Sequence, residues 1–423
     1  MKQPFRYRLI DALRGTAALD LLDDLREQQY WSASRLQASN ETRLADYFAE
    51  LRRDIPLFRD CERFEDLPIL DKHFINTHHE ALRNRNYQGR VLRKKTGGST
   101  GEPTIYYTGA QSQSYLWAGL FLAWEVAGYR LGEKVVYLAG SALARQGWQQ
   151  SAFYRLMRVE VMSAFDMSRE RMDDYALALQ QRGYRLLYGY ASAIHRLAVH
   201  VLQRGGGIQT TMRGIVCTGE TMTEQMRHDI EQAFGVPCFG QYGCNDAGVS
   251  AFECEARQGY HLLTPRCHAE VLDDGRLVST DLSNQAMYLP RHDTGDLVKM
   301  SGRTCSCGRG FPLIDEVMGR QYDFLIDAAG NAMHYQFFMF LLREDRRIHS
   351  FQIVYDDETL VLNLHTVPLS AAEQAAMARP YVDRIAASLV FDEIHCVFNQ
   401  PYIVQANGKH RFMLRRSPSA MTG

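Results

Sequence analysis

Residues 213–243 read RGIVCTGETMTEQMRHDIEQAFGVPCFGQYG. Arg213–Gly219 is a short apolar run of strand length, and Val236–Gly243 is a second. Between them Thr221 and Glu224 stand at capping-box spacing, so a helix is predicted to start there and to end near Gly235. Working outward, Glu133–Gly140 (EKVVYLAG) predicts a buried strand, and Ala193–Arg204 predicts an amphipathic helix. Strands that alternate with helices predict an α/β fold around a mostly parallel sheet covered on both faces.

The flanks differ in character. Residues 31–54 read as polar helical sequence in one or two pieces, and residues 86–110, rich in Gly, Thr and Ser, interrupt the pattern as a loop does. Near the C-terminus, Phe351–Tyr355 and Thr359–Leu364 flank Asp356-Asp357-Glu358 as a hairpin. A helix is predicted over Ser370–Leu389 with a kink or break at Pro380, then a strand at Glu393–Phe398. This is the order of a small α+β domain. The boundary is placed in Gly319–Asp323, giving a large domain over 1–322 and a small C-terminal one over 323–423.

The 423 residues suit about two to three domains. Hydrophobic residues make up 46% and charged residues 23%, the balance of a soluble globular chain. The net charge of −1 excludes a strongly basic nucleic-acid platform and an acidic disordered tail. Met1–Leu21 carries charges throughout and has no apolar signal core. The longest apolar stretch, Tyr115–Trp124, is about half a membrane span. Nine cysteines, an odd number in a large chain, predict free thiols and a reducing cytoplasm. The oligomeric state is left open, a homodimer included.

The most informative octapeptide is Thr96-Gly97-Gly98-Ser99-Thr100-Gly101-Glu102-Pro103. Its glycines let backbone N–H groups approach an anion, and Thr96, Ser99 and Thr100 add hydroxyl donors. No Gly-Lys-Ser/Thr follows, so it is not the Walker loop. It resembles the phosphate-binding loop of the AMP-forming acyl-adenylating enzymes. Further segments match in order: Gln241-Tyr242-Gly243-Cys244-Asn245-Asp246, Arg291-His292-Asp293-Thr294-Gly295-Asp296, Gly319-Arg320-Gln321-Tyr322-Asp323 and, more weakly, Gly408-Lys409. The wording of Pro290–Asp296 and of Gly408–Phe412 is most similar to the phenylacetate–CoA ligase branch, and within it to the ligases of capsule-biosynthesis type.

The resemblance implies a large adenylate-forming α/β domain, a small mobile C-terminal domain, and activation of a carboxylic acid by ATP and Mg²⁺. Residues 96–101 would hold the β- and γ-phosphates. Tyr242 would pack on adenine, with Gly219, Glu220, Thr221, Gly243 and Asn245 around the nucleotide, and Asp296 would grip the ribose hydroxyls. Asp246 would help hold Mg²⁺, Lys409 would face the α-phosphate, and Arg320 would sit at the hinge. Three departures stand out: Asn245-Asp246 replaces Thr-Glu, Tyr322 stands where a hinge Asp is common, and His292 replaces an aromatic Tyr.

Tyr188-Gly189-Tyr190-Ala191-Ser192 is similar to a Gly-Tyr-Pro-Ser segment near the acyl pocket of relatives, which points to Tyr190, with Ser141 after another strand. Cys254, His261, Cys305 and Cys307 offer four N/S ligands from two segments, a closed set for structural Zn²⁺, and some members of this branch carry a similar set. Cys267 and His268 are the competing pair. The partners implied are a small carboxylic acid, aryl or otherwise, and an acyl acceptor. Coenzyme A is the usual acceptor, an amine the alternative, and a non-catalytic nucleotide-binding protein the reading from another class.

Overall fold

In the parallel strands, alternate side chains feed two separate cores. The computed structural model describes residues 5–96, 104–139, 148–164, 167–320, 324–342, 345, 347–403 and 411–416. A two-stranded hairpin of β1 (Leu92–Lys95) and β2 (Ile105–Thr108) precedes the main sheet. The parallel strands are β3 (Val135–Ala139), β4 (Val159–Ser163), β5 (Leu186–Tyr190), β6 (Gly214–Thr218) and β7 (Cys238–Cys244). Val135 and Tyr137 point into one core with Trp124 and Phe121, whereas Val136 and Leu138 point into the other with Ile194, Leu197 and Ile230. Period-two alternation with both faces apolar is what reads in sequence as a continuous hydrophobic run.

The sheet is not mostly parallel, and here the sequence-based expectation is corrected. Six further strands extend it: β8 (Val249–Glu253), β9 (Tyr260–Leu262), β10 (Cys267–Val271), β11 (Arg276–Asp281), β12 (His292–Met300) and β13 (Leu313–Arg320). The full order is β10-β11-β12-β13-β9-β8-β7-β6-β5-β3-β4, and every pairing from β7 to β10 is antiparallel. These strands are joined without helices and bury many polar side chains, so hydrophobic patterning does not announce them.

Capping chemistry sets the helices that cover this sheet. Glu224–Phe234 starts at Thr223, whose hydroxyl accepts the Met226 N–H, rather than at Thr221. Thr223 directly precedes the first turn, so its oxygen reaches an orphan donor that Thr221 lies too far upstream to serve. The helix ends at Gly235 in the left-handed region, φ 66°. The polar segment read as one or two pieces is a single helix, Ala33–Asp54. Among the described residues no helix is long and apolar enough to cross a membrane.

A second sheet lies in the C-terminal part. Following the short pair β14 (Phe324–Ile326) and β15 (Ala332–His334), strands β16 (Ile348–Tyr355), β17 (Thr359–Thr366), β18 (Glu393–Phe398) and β19 (Met413–Arg415) take the order β18-β17-β16-β19. The helix Ala371–Ala386 starts in a Ser370/Glu373 capping box and runs through Pro380 without a break. Its buried Met377 and Ile385 pack with Leu360, Leu362 and Leu364 on either side of the proline, and this packing holds the helix together there. The expected domain boundary at 322/323 lies outside the described residues.

Parallel and antiparallel halves meet between β7 and β8. Both carboxylate oxygens of buried Glu253 accept from Arg227 Nη2, at 2.8 and 3.0 Å, and the Gly240 N–H is donated to one of them. Arg227 Nη1 donates to the Cys238 carbonyl at 2.6 Å. Removing one charge of a buried pair strands the other. Glu253→Gln is expected to lower stability by about 3–5 kcal/mol, measured as a lower urea midpoint.

Candidate functional site

The candidate residues gather where the parallel strands end. Tyr190 closes β5, Gly219, Glu220 and Thr221 follow β6, and Tyr242, Gly243, Asn245 and Asp246 lie at and beyond the end of β7. Ligands of open α/β sheets bind at such carboxyl ends. Gly219 takes φ 78°, which turns the chain back across the strand end. The Glu220 carboxylate accepts the Ser192 N–H at 2.9 Å, in the first turn of the Ala191–Gln203 helix. Burial, together with nearby Glu220, raises the Tyr190 hydroxyl above its ordinary range.

The antiparallel half brings the second motif to the same place. Tyr242 donates its hydroxyl to Asp296 Oδ2 at 2.7 Å, which joins the end of β7 to β12. Around Asp296 the β12 chain is closely fastened. Leu70 and His292 form a parallel bridge, with Leu70 N–H donating to the Arg291 carbonyl and Asp293 N–H to the Leu70 carbonyl, both at 3.0 Å. Asp293 pairs with Arg276 at 2.8 Å and accepts the Gly295 N–H, while Thr294 donates to the Leu277 carbonyl. Arg320 stands opposite Asp296 in the β12–β13 register.

Asp246 is buried. One oxygen accepts the Cys244 thiol at 3.0 Å, and the other lies 3.9 Å from His292 Nε2. His292 is fully buried, and neither ring nitrogen has a hydrogen-bond partner among the described residues. An orphaned buried imidazole beside a carboxylate suits a site completed by a polar ligand or hydrated cation. Sequence reasoning noted His292 only as a departure; its burial inside a polar strand is a tertiary property.

Thr96 closes the base of the glycine-rich loop: its N–H donates to the Thr104 carbonyl at 2.9 Å and its hydroxyl accepts the Thr104 N–H at 3.0 Å. Gly97, Gly98, Ser99, Thr100, Gly101, Ser141 and Lys409 lie outside the described residues. Tyr106 on β2 is buried, and its hydroxyl is pushed far up by burial and next by the Asp246 charge. Lys94, seen in sequence only as part of a basic run, is lowered to about 8 by burial, with Arg266 adding to the effect.

Cys254, His261, Cys305 and Cys307 converge with all donor atoms within 4.8 Å. Cys254 and Cys305 sulfurs are 3.5 Å apart, and Cys307 Sγ lies 3.3 Å from His261 Nε2. His261 Nδ1 faces the Phe311 carbonyl at 3.3 Å, so Nδ1 carries the proton and Nε2 is left bare toward the sulfurs. Burial pushes the Cys254 thiol up to about 12. Burial also raises Cys307, but hydrogen bonds from Arg309, and then from Cys305 and Cys254, together bring that thiol below its usual range. Four N/S donors with one imidazole already oriented fit tetrahedral Zn²⁺. The competing pair is not part of this group: His268 Nδ1 meets Asn40 at 2.9 Å, and Cys267 is buried in another core cluster. The loop is bolted to the N-terminal helices. Gly310 N–H donates to the Gln29 carbonyl at 2.7 Å, Arg309 Nε reaches the Gln29 side chain at 2.7 Å, and a Cβ at Gly310 would lie 1.9 Å from the Trp31 carbonyl oxygen.

No protein-family model matches the chain. It is 26% identical over 250 residues to protein CapK of Staphylococcus aureus, covering 56% of this chain and 55% of that one. It is 29% identical over 194 residues to a phenylacetate–coenzyme A ligase of Thermus thermophilus, 42% of either chain. The chain thus spans about half the length of the curated relatives it matches. Among solved structures, a 2-hydroxyisobutyryl-CoA ligase in a postadenylation state superposes with TM-score 0.71 at 18% identity, over 92% of this chain and 91% of that one. An anthranilate–CoA ligase in complex with anthranoyl-AMP gives 0.50 at 12% identity, over 77% and 66%. The chain is thus similar in sequence to CapK and to phenylacetate–CoA ligases over part of its length, and its mixed α/β fold is like that of the 2-hydroxyisobutyryl-CoA ligase.

The lowered Lys94 value fixes a pH dependence. A lysine whose folded-state value lies near 8 rather than 10.5 binds fewer protons folded than unfolded between those limits, so its destabilising effect is relieved as pH rises through that window. The stability advantage of Lys94→Met over the wild type should shrink from pH 7.5 toward about pH 10.5, followed by urea denaturation across the range.

Proposed function

We propose that this chain is an ATP-dependent, AMP-forming ligase that activates a small carboxylic acid as its acyl-adenylate and passes the acyl group to coenzyme A. The observation that carries the reading is the 2.7 Å bond from Tyr242 to Asp296, which unites two separate motif segments at the carboxyl ends of the parallel strands. Both reactants of the first step are anionic, so the work of the site is positional and electrostatic. A carboxylate oxygen attacks the α-phosphorus of ATP, and the bond to pyrophosphate breaks. The thiol sulfur of coenzyme A then attacks the acyl carbon, and AMP leaves.

In this reading Asp296, oriented by Tyr242, receives the ribose hydroxyls, and the loop closed by Thr96 receives the terminal phosphates. Lys409 places its charge at the α-phosphate, and Arg320, opposite Asp296, lies at the turning point toward the C-terminal part. Asp246, beside His292, whose ring nitrogens have no hydrogen-bond partner among the described residues, is the carboxylate that would hold Mg²⁺; when bound, the ion would supply neutralising charge to the phosphates. Tyr190 and Glu220 border the acyl group. Zn²⁺ held by Cys254, His261, Cys305 and Cys307 would be structural, because four protein ligands leave no position for water. None of the nine cysteines is in a disulfide, which leaves Cys254, Cys305 and Cys307 available as ligands.

Acid-dependent ATP–pyrophosphate exchange, run over aryl, aliphatic and amino acids, tests the reading. One acid class should support exchange without coenzyme A, and Lys409→Ala and Asp296→Ala should each reduce it by about 10²–10³-fold. No exchange with any acid despite ATP binding would move the non-catalytic alternative forward. Elemental analysis should find zinc in the purified protein, and Cys254→Ser should lose it together with thermal stability.

A further inference from the structure

A second convergence of metal-type ligands lies away from both sites described above. His195 on the Ala191–Gln203 helix, Asp229 on the Glu224–Phe234 helix and His349 on β16 bring their donor atoms within 4.8 Å of one another. His195 Nε2 and His349 Nδ1 each lie 2.9 Å from the same oxygen, Asp229 Oδ2. The other oxygen, Oδ1, accepts from Gln225 Nε2 at 2.8 Å. His195 and Asp229 are buried, whereas the His349 side chain keeps 16% of its surface, a way in from solvent.

We propose that His195, Asp229 and His349 form a site for a divalent first-row transition ion such as Zn²⁺, Ni²⁺ or Co²⁺, bound by two imidazole nitrogens and one carboxylate oxygen and joining the C-terminal sheet to two helices of the main sheet. Three features of the cluster carry this. Both imidazoles converge on one carboxylate oxygen, while the second oxygen is held by an amide, as in sites where an outer partner orients a ligating carboxylate. An ion about 2.0–2.2 Å from each donor keeps adjacent donors about 3 Å apart, close to the 2.9 Å of both nitrogen–oxygen pairs. Among the described residues, no lysine or arginine pairs with Asp229, whose buried carboxylate meets the two histidines and the Gln225 amide there, a charge that a divalent ion would offset. The mixed N₂O set, without sulfur, suits these ions over Ca²⁺ or Mg²⁺. Water on the His349 side would complete the coordination. The inference is independent of the ligase reading.

Cobalt titration of the metal-stripped full-length protein, followed by visible absorption, distinguishes the two clusters. The cysteine cluster gives thiolate-to-cobalt charge-transfer bands, and the His₂Asp site gives ligand-field bands alone. The expected result is two equivalents bound, one of each kind. His349→Ala, at the partly exposed ligand, should weaken the thiolate-free equivalent at least tenfold and leave the thiolate bands intact, and His195→Gln should do the same. If either variant fails to fold, as judged by far-ultraviolet circular dichroism, the wild-type titration still decides. A wild-type protein that binds only thiolate-ligated cobalt, or a thiolate-free equivalent unaffected by His349→Ala, would overturn the proposal and leave these three side chains as a hydrogen-bonded triad.

Discussion

The architecture hinges on a carboxylate buried where the sheet changes sense. Glu253 ends β8, the first antiparallel strand, yet its charge is neutralised by Arg227, which belongs to a helix packed on the parallel half. An ion pair this deep has no water to replace a missing partner, so its geometry is over-determined. It ties the helix after β6, the start of β7 and the end of β8 into one unit. The Gln241–Asp246 segment at the end of β7 therefore projects from a frame tied to the antiparallel strands, where Tyr242 meets Asp296.

Polar groups rather than apolar packing define the candidate site. Strand β12 carries His292, Asp293, Thr294 and Asp296, all buried, within a few residues. Such a strand is stable only because nearly every group finds a partner: Asp293 in Arg276, Thr294 in the Leu277 carbonyl, Asp296 in Tyr242. Against that background the two ring nitrogens of His292, unpartnered among the described residues, are the exception on this strand, and Nε2 lies 3.9 Å from Asp246. Among the described residues of this strand, His292 is thus the place where a polar ligand would find a free partner.

The parallel half was legible because its physics is local. Val135–Ala139 and Gly214–Thr218 are short apolar runs, and Gly235 is a helix stop that only a left-handed residue satisfies. The antiparallel half was not legible, since β10 and β12 are polar strands whose burial depends on partners far along the chain. The cap at Thr223 was missed by two residues, because two threonines compete there and only the backbone path chooses between them. Of the site, the grouping of Cys254, His261, Cys305 and Cys307 was read from residue type and spacing. Lys94 and His292 were not read, as an environment of burial and neighbouring charge leaves no mark on sequence.

The bolt between Gly310 and the N-terminal helices has a consequence for the order in which the molecule can be made. Gln29 and Arg309, joined through their side chains, are separated by 280 positions. The surface that receives the Gln29–Trp31 turn does not exist until the ribosome has passed Gly310, whose missing side chain makes room for the Trp31 carbonyl. At roughly 5–20 residues per second, the first helices emerge about 15–55 s before their final neighbour. During that interval their apolar residues, Leu19, Leu22 and Leu25 among them, have no finished core to enter. The helix that carries Leu19, Leu22 and Leu25 thus waits on a contact that only the passage of Gly310 completes.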